Sequence, residues 1–210
     1  MQRADGRTTR FAHRRGELLK AAGDYVLDHG AGGMALRPLG AAIGVSHVAL
    51  LHHFGSREQL FVEVLRELRE RERRHLAARA DGTAGADGSA ADLETLVREM
   101  WGRLSAPDHE RFMRLLFELV GRALQDPGGY GRFLHELVED WTGSIEQLLL
   151  VRGAPAREAP QLATLLYGAI RGLLLDLVST GDRVRVEAGF EALMDVMRPR
   201  FAGLEGGHGN

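Results

Sequence analysis

The sequence has no cysteine in its 210 residues. Disulfide staples, thiolate nucleophiles and cysteine metal sites are thereby excluded, and the composition fits a protein of the reducing cytoplasm. Isoleucine occurs only at Ile43, Ile145 and Ile170, threonine is scarce and leucine abundant, a balance that favours helices over sheets. No N-terminal stretch has the apolar core of a secretory signal. The most apolar run, Leu162 to Val178, is interrupted by Arg171 and Asp176, so no membrane span is expected. Catalytic and metal signatures are also missing. No serine sits in a G-x-S-x-G elbow, and the Gly-Gly-Tyr-Gly at 128–131 follows no strand, so it marks a helix break rather than a phosphate loop. His109-Glu110 and His135-Glu136 lack the second histidine of a zinc-binding helix. His52 and His53 are adjacent, and neighbours on a helix point about 100° apart, so they do not share one ion. These absences predict no enzyme, no metal site and no cofactor.

What is present is organised around Leu36 to Arg57, LRPLGAAIGVSHVALLHHFGSR. Leu36, Leu39 and Ile43 form one apolar stripe on a short helix. Pro38 is tolerated in a first turn, where its missing N–H has no partner to lose. Gly44 supplies the left-handed residue that ends the helix, and Ser46 caps the next one. After the turn, Leu50 and Phe54 lie four apart on one face. Ser46, His47, Ala49, His52 and His53 occupy the other. Helix, tight glycine turn, helix with a polar outer face is the helix-turn-helix pattern.

The run GVSHVALLHHFGSREQL resembles the signature of TetR-family transcriptional regulators. Gly44, Val45, Ser46, Leu50, His53, Phe54, Ser56, Arg57 and Glu58 match as they stand. The family usually has threonine where Ala35 and Ala49 sit, and tyrosine where Leu51 sits. Those departures remove hydroxyls that would contact phosphates or base edges. The resemblance implies a DNA-binding head, an effector cavity among the later helices, and a four-helix dimer interface built by the last two helices and their symmetry mates.

The charge distribution agrees with such a head. Residues 1–60 carry a net +3 and the remainder −5, and five of the nine histidines fall in the first 60. A basic end on an acidic body is the footprint of a nucleic-acid-binding module attached to something else. Residues 1–8 read as a polar, basic arm, with Thr8 or Thr9 capping a first helix that runs to His29. Ala-Gly-Gly links this helix to the helix-turn-helix. Ser56 and Gln59 form a capping box that opens a long helix, with Leu60, Phe61, Val64, Leu65 and Leu68 on its inner side. The Glu67–Arg71 and Glu70–Arg74 pairs lie on its solvated face. Asp81 to Ala91 reads as a Gly-rich loop. Helical patterns follow over Asp92 to Leu104, Pro107 to Gln125, Tyr130 to Val151, Pro160 to Thr180, and Arg183 to about Phe201, with a tail after Gly203.

The expected architecture is all-α: a three-helix helix-turn-helix domain over 1–55 and a helical ligand-binding and dimerisation domain over 56–205. The expected function is a DNA-binding transcriptional regulator, a ligand-responsive repressor that binds a palindromic operator as a homodimer. A helical binding bundle with a degenerate head and an activator of the same architecture remain as alternatives. Expected partners are a double-stranded DNA operator and an apolar or aromatic small-molecule effector, with no membrane. His47 and Val48 are placed to face base edges. Ser46, Ala49 and His52 share that side. The resemblance puts Arg37, His53 and Arg57 at phosphates. Trp101, Phe112, Met113, Phe117, Phe133, His135, Trp141 and Arg171 are the candidate effector contacts, since pockets combine apolar walls with a few polar groups. Gly168 and Gly172, four apart with Ala169 between them, allow a close helix approach.

Overall fold

The computed structural model describes residues 5–30, 35–80, 92–125 and 127–205, and every regular element among these is a helix. In chain order they are α1 (Asp5–His29), α2 (Leu36–Ala42), α3 (His47–Phe54), α4 (Arg57–Ala80), α5 (Leu93–Leu104), α6 (Glu110–Gln125), α7 (Pro127–Val151), α8 (Ala159–Thr180) and α9 (Arg183–Glu205). The all-α expectation holds. Several boundaries differ from the sequence reading: α8 starts one residue earlier, at Ala159, α9 runs on to Glu205, and three other starts differ. First, α1 starts at Asp5, so Thr8 and Thr9 lie inside it instead of capping it. Second, α6 starts at Glu110, because the segment before it forms a turn in which the His109 N–H donates to the Ala106 carbonyl at 3.0 Å. Third, α7 starts at Pro127, where the fixed φ of proline is ready-made for a first helical residue. Residues 1–4 of the arm, the 31–33 link, the 81–91 loop and residues 206–210 of the tail lie outside the described residues, as does the side chain of Arg74.

The chain divides into two compact units, Met1–Ala86 with Arg114–Gly131, and Asp87–Met113 with Arg132–Asn210. In the first unit, α1 packs on α4. Leu18, Ala22 and Val26 are buried on α1, and Leu60, Phe61, Val64, Leu65 and Leu68 on α4. Burying each large apolar side chain contributes roughly 1.5–3 kcal/mol. Gly23 brings the helices close: a Cβ there would lie 3.2 Å from Leu68 Cδ2. Arg71 fastens the same pair. Its guanidinium donates to Asp24 at 2.6 Å, to the Lys20 carbonyl at 2.9 Å, and to Glu67 one turn back at 3.0 Å. Burial opposes its charge, but the bonds to Glu67 and Asp24 outweigh that and raise its pKa.

In the second unit, α8 and α9 form an αα-hairpin whose turn is set by Gly181 at φ +71°. Leu162, Leu166, Ile170, Leu174 and Leu177 of α8 are buried, as are Val186, Phe190, Met194, Met197 and Phe201 of α9. By length and composition alone α8 is long and apolar enough to cross a membrane. Its buried stripe packs on α9, and Asp176 pairs with Arg185 of α9 at 2.7 Å. α9 runs through Pro199; a mid-helix proline costs about 3 kcal/mol, and the burial of Met197 and Phe201 on either side offsets it. α5 docks on α9. The Trp101 ring stacks on Phe190 with centroids 4.6 Å apart, and its Nε1–H donates to Glu187 at 2.8 Å. Arg98 holds Glu191 through two bonds of 2.6 and 2.9 Å, and Arg198 reaches back to Glu94 at 3.0 Å.

Candidate nucleic-acid interface

α2 is short and ends abruptly. Ala35 occupies its N-cap and offers no side-chain acceptor. Pro38 sits in the first turn, and the ladder starts only at Leu39, whose N–H donates to the Ala35 carbonyl at 3.1 Å. At the other end Gly44 takes φ +73°. The Val45 N–H then donates to the Gly40 carbonyl at 2.8 Å and the Gly44 N–H to the Ala41 carbonyl at 3.4 Å, the paired bonds of a Schellman turn. Gly40 is packed beneath that turn. A Cβ on it would lie 2.6 Å from the Val45 carbonyl oxygen. Ser46 Oγ accepts from the Ala49 N–H at 3.1 Å and caps α3. Both capping expectations hold.

α3 is anchored from behind. Leu50 and Phe54 are buried against the first unit's core, and both lie on the side away from the turn's polar residues. Arg15 of α1 closes the far end: its Nε donates to the His53 carbonyl at 3.2 Å, its guanidinium pairs with Glu63 of α4, and it lies 4.9 Å above the Phe54 ring. One side chain thus ties α1, α3 and α4 together. The next helix is started by the capping box foreseen from sequence. The Gln59 N–H donates to Ser56 Oγ at 3.1 Å, and the Ser56 N–H donates to Gln59 Oε1 at 3.2 Å.

The remaining surface of α3 faces solvent. Val48 is 61% exposed and Leu51 36%; His52 is exposed, and His47, Ala49 and His53 are partly so. Arg37 on α2 is exposed. Arg57 at the start of α4 is half-buried, its guanidinium 5.6 Å above the Phe61 ring. His53 has its pKa lowered, first by burial, then by the nearby charges of His52, Arg15 and Arg14. The local field is therefore positive, and it favours an anionic partner.

The family model for bacterial regulatory proteins of the tetR family matches residues 18–64, which span the second half of α1, all of α2 and α3, and the start of α4. The HTH-type transcriptional repressor AcnR of Corynebacterium efficiens is 28% identical over 188 residues, covering 87% of this chain and 88% of its own. The head, residues 18–64, belongs to the tetR family of bacterial regulatory proteins. The chain is a DNA-binding transcriptional regulator. Among solved structures, this chain is similar to a transcriptional regulator from Rhodococcus sp. Rha1, with a TM-score of 0.68 at 20% identity over 88% of this chain and 96% of that one. It is also similar to the multidrug binding protein EbrR complexed with imidazole, with a TM-score of 0.63 at 26% identity over 87% and 89%.

The candidate effector residues are placed less uniformly than those on the outer face of α3. Phe117 falls in the first unit and the others in the second. Trp101, Phe112, Met113 and Phe133 are buried, and Phe117, Trp141 and Arg171 are half-buried. His135 is largely exposed, 3.7 Å from Glu139. Arg171 donates to the Tyr167 hydroxyl at 3.0 Å. The indole of Trp101 is engaged by Phe190 and Glu187, as described above. Two cavities within the second unit, one of about 250 Å³ beside Ser105, Glu110 and Arg183 and one of about 340 Å³ beside Glu158 and Arg200, are lined by none of the eight. The sequence reading also passed over two residues that shape the head. Gly40 carried a signal, a glycine inside a short helix, which marks close backbone approach. Arg15 carried none, because its acceptor on His53 lies 38 residues away.

Proposed function

We propose that this protein is a ligand-responsive repressor that reads a palindromic operator with α3 as a homodimer. The observation that carries the reading is the outward face of α3, which has no role in the core and stands in a positive field. Ser46 holds the cap. His47 and Val48, next in sequence, face base edges, with Ala49 and His52 beside them. Arg37, His53 and Arg57 take the phosphates. An eight-residue helix covers only a few base pairs, so two-fold pairing is needed to place two of them about one DNA turn apart, ~34–36 Å. The support for a dimer is the outer face of the α8–α9 hairpin. Leu165 and Leu175 flank Gly168 and Gly172 on α8, and Val184 and Val196 stand on α9; all four apolar side chains are exposed, Val184 by 84%. An apolar or aromatic effector bound in the helical part downstream of the head would shift the population away from the DNA-binding state, which requires unequal affinity for the two states. The EbrR likeness supports a ligand-binding role, and AcnR is itself named a repressor.

Mobility shift with DNA from upstream of the protein's own operon tests the reading. A saturable, salt-sensitive shift is expected. Arg57→Ala should weaken all sequences alike and flatten the salt slope by roughly one phosphate, whereas His47→Ala should change which sequence is preferred. Unchanged binding in both variants would remove α3 from the interface. Gly172→Leu should give monomers in light scattering. Trp141→Phe and Phe117→Ala variants that both still bind the effector normally would move the ligand site elsewhere. Ala49 and Leu51, where the family carries hydroxyls, favour one rival: a helical binding bundle whose head no longer holds DNA. The absence of any shift would leave that reading standing.

A further inference from the structure

We infer that operator choice by α3 is dominated by thymine 5-methyl groups, read by Val48 and Leu51. The inference rests on the reading of α3 as the DNA-contacting helix. The whole helix is HVALLHHF. It contains no arginine or lysine to grip guanine O6 and N7, and no asparagine or glutamine to grip adenine N6 and N7. Those are the side chains that form bidentate pairs in the major groove. Leu50 and Phe54 are committed to the core, and Ala49 reaches little. What faces outward is two apolar side chains, Val48 at 61% and Leu51 at 36% exposure, with His47 and His52 beside them.

An exposed valine and leucine one turn apart gain nothing from the fold. Against DNA they do gain, because the thymine methyl is the one apolar group that the major groove displays. Residues three apart on a helix are separated by about 4.5 Å along the axis, and base pairs by about 3.4 Å. Val48 and Leu51 therefore reach neighbouring base pairs, and each half-site should carry two thymines at adjacent or next-adjacent positions. The loss of the family's tyrosine at position 51 becomes a gain of readout: a side chain suited to phosphate is replaced by one suited to a methyl.

The test replaces thymine by uracil, which removes only the methyl. Duplexes are selected from a random pool with the full-length protein. Each thymine of the selected half-site is then changed to uracil in turn, and affinity is measured by fluorescence anisotropy. Burial of a methyl predicts about a fourfold loss per contacted thymine. Val48→Ala and Leu51→Ala should each abolish the sensitivity at one position and leave the other. Both side chains are exposed, so melting temperatures should match wild type, and equal melting separates lost readout from lost folding. Uracil tolerated at every position would overturn the inference, as would sensitivity that persists in the Val48→Ala, Leu51→Ala double variant, since the methyl would then act through DNA shape. Failure of the wild type to select any duplex would sink the DNA-binding reading, and this inference with it. Tight binding with indifference to uracil would sink the inference alone.

Discussion

Gly40→Ala is the substitution that most directly tests how the head is built. Its Cβ would lie 2.6 Å from the Val45 carbonyl oxygen, 3.3 Å from the His47 nitrogen and 3.4 Å from the Ser46 carbonyl carbon. All three are backbone atoms of the turn, so no rotamer change relieves the contact; the chain itself must move. Inside a helix alanine is otherwise favoured over glycine by up to about 1 kcal/mol. Overpacking against an unyielding neighbour costs roughly 1–3 kcal/mol, and a contact this short on backbone belongs at the upper end. The net expectation is a loss of about 2 kcal/mol in stability. The displaced atoms include the start of α3, so operator affinity should fall about tenfold or more, since each 1.4 kcal/mol of misfit is one decade. Gly44→Ala is the control. Nothing lies within 4 Å of a Cβ there, but the residue sits at φ +73°, so the substitution adds about 1–2 kcal/mol of left-handed strain without pushing on the turn. Urea unfolding would read stability, with an unchanged slope required for the comparison, and anisotropy on the selected duplex would read affinity. A Gly40→Ala protein with the wild-type urea midpoint and wild-type affinity would refute the claim that Gly40 sets the approach of α2 to the turn.

Three further outcomes follow from the same geometry. Arg15→Ala removes the bond to the His53 carbonyl, the Glu63 pair and the contact over Phe54, and should cost about 1–2 kcal/mol, as charged hydrogen bonds do; an unchanged urea midpoint would show that the link is idle. His53 has a pKa below the ordinary 6.5, so the unfolded chain takes up its proton first and stability should fall as pH drops through about 6.5. His53→Gln should flatten that part of the profile. Because phosphate favours the charged ring, operator affinity should keep rising as pH is lowered past about 6.5, and a flat profile from about pH 8 to about pH 5.5 would exclude His53 from the phosphates. Trp101→Phe leaves Glu187 without its indole donor and should lower stability by about 1 kcal/mol or more while effector release of DNA persists; loss of effector response at unchanged stability would instead place Trp101 at the ligand.

The parts of the fold that were legible in the sequence are those written in short-range chemistry. The Ser46 cap, the Ser56–Gln59 box, the Gly44 turn and the five inward residues of α4 all depend on neighbours within one or two helical turns, and all are present as read. Helix ends set by competing local options were read less well. Thr8 and Thr9 are good caps, yet Asp5 starts α1. Leu124 near the end of α6 is 74% exposed although it is apolar, because the helix has passed its last buried residue, Ala123. Long-range pairs such as Arg15 with His53, Arg71 with Asp24 and Trp101 with Glu187 leave no periodic trace. For the same reason the solvent-facing side chains of one short helix were foreseeable as a group, whereas the placement of aromatic residues from three separate helices was not.

The way α3 is held has an evolutionary consequence. Its position depends on two core side chains, one serine cap, one glycine turn and an arginine from another helix. None of these is among the side chains proposed to meet the bases. Positions 47, 48, 51 and 52 can therefore be exchanged with little effect on folding. A lineage carrying this head can acquire a new operator by drift at four surface positions, and retargeting by design can begin at the same four.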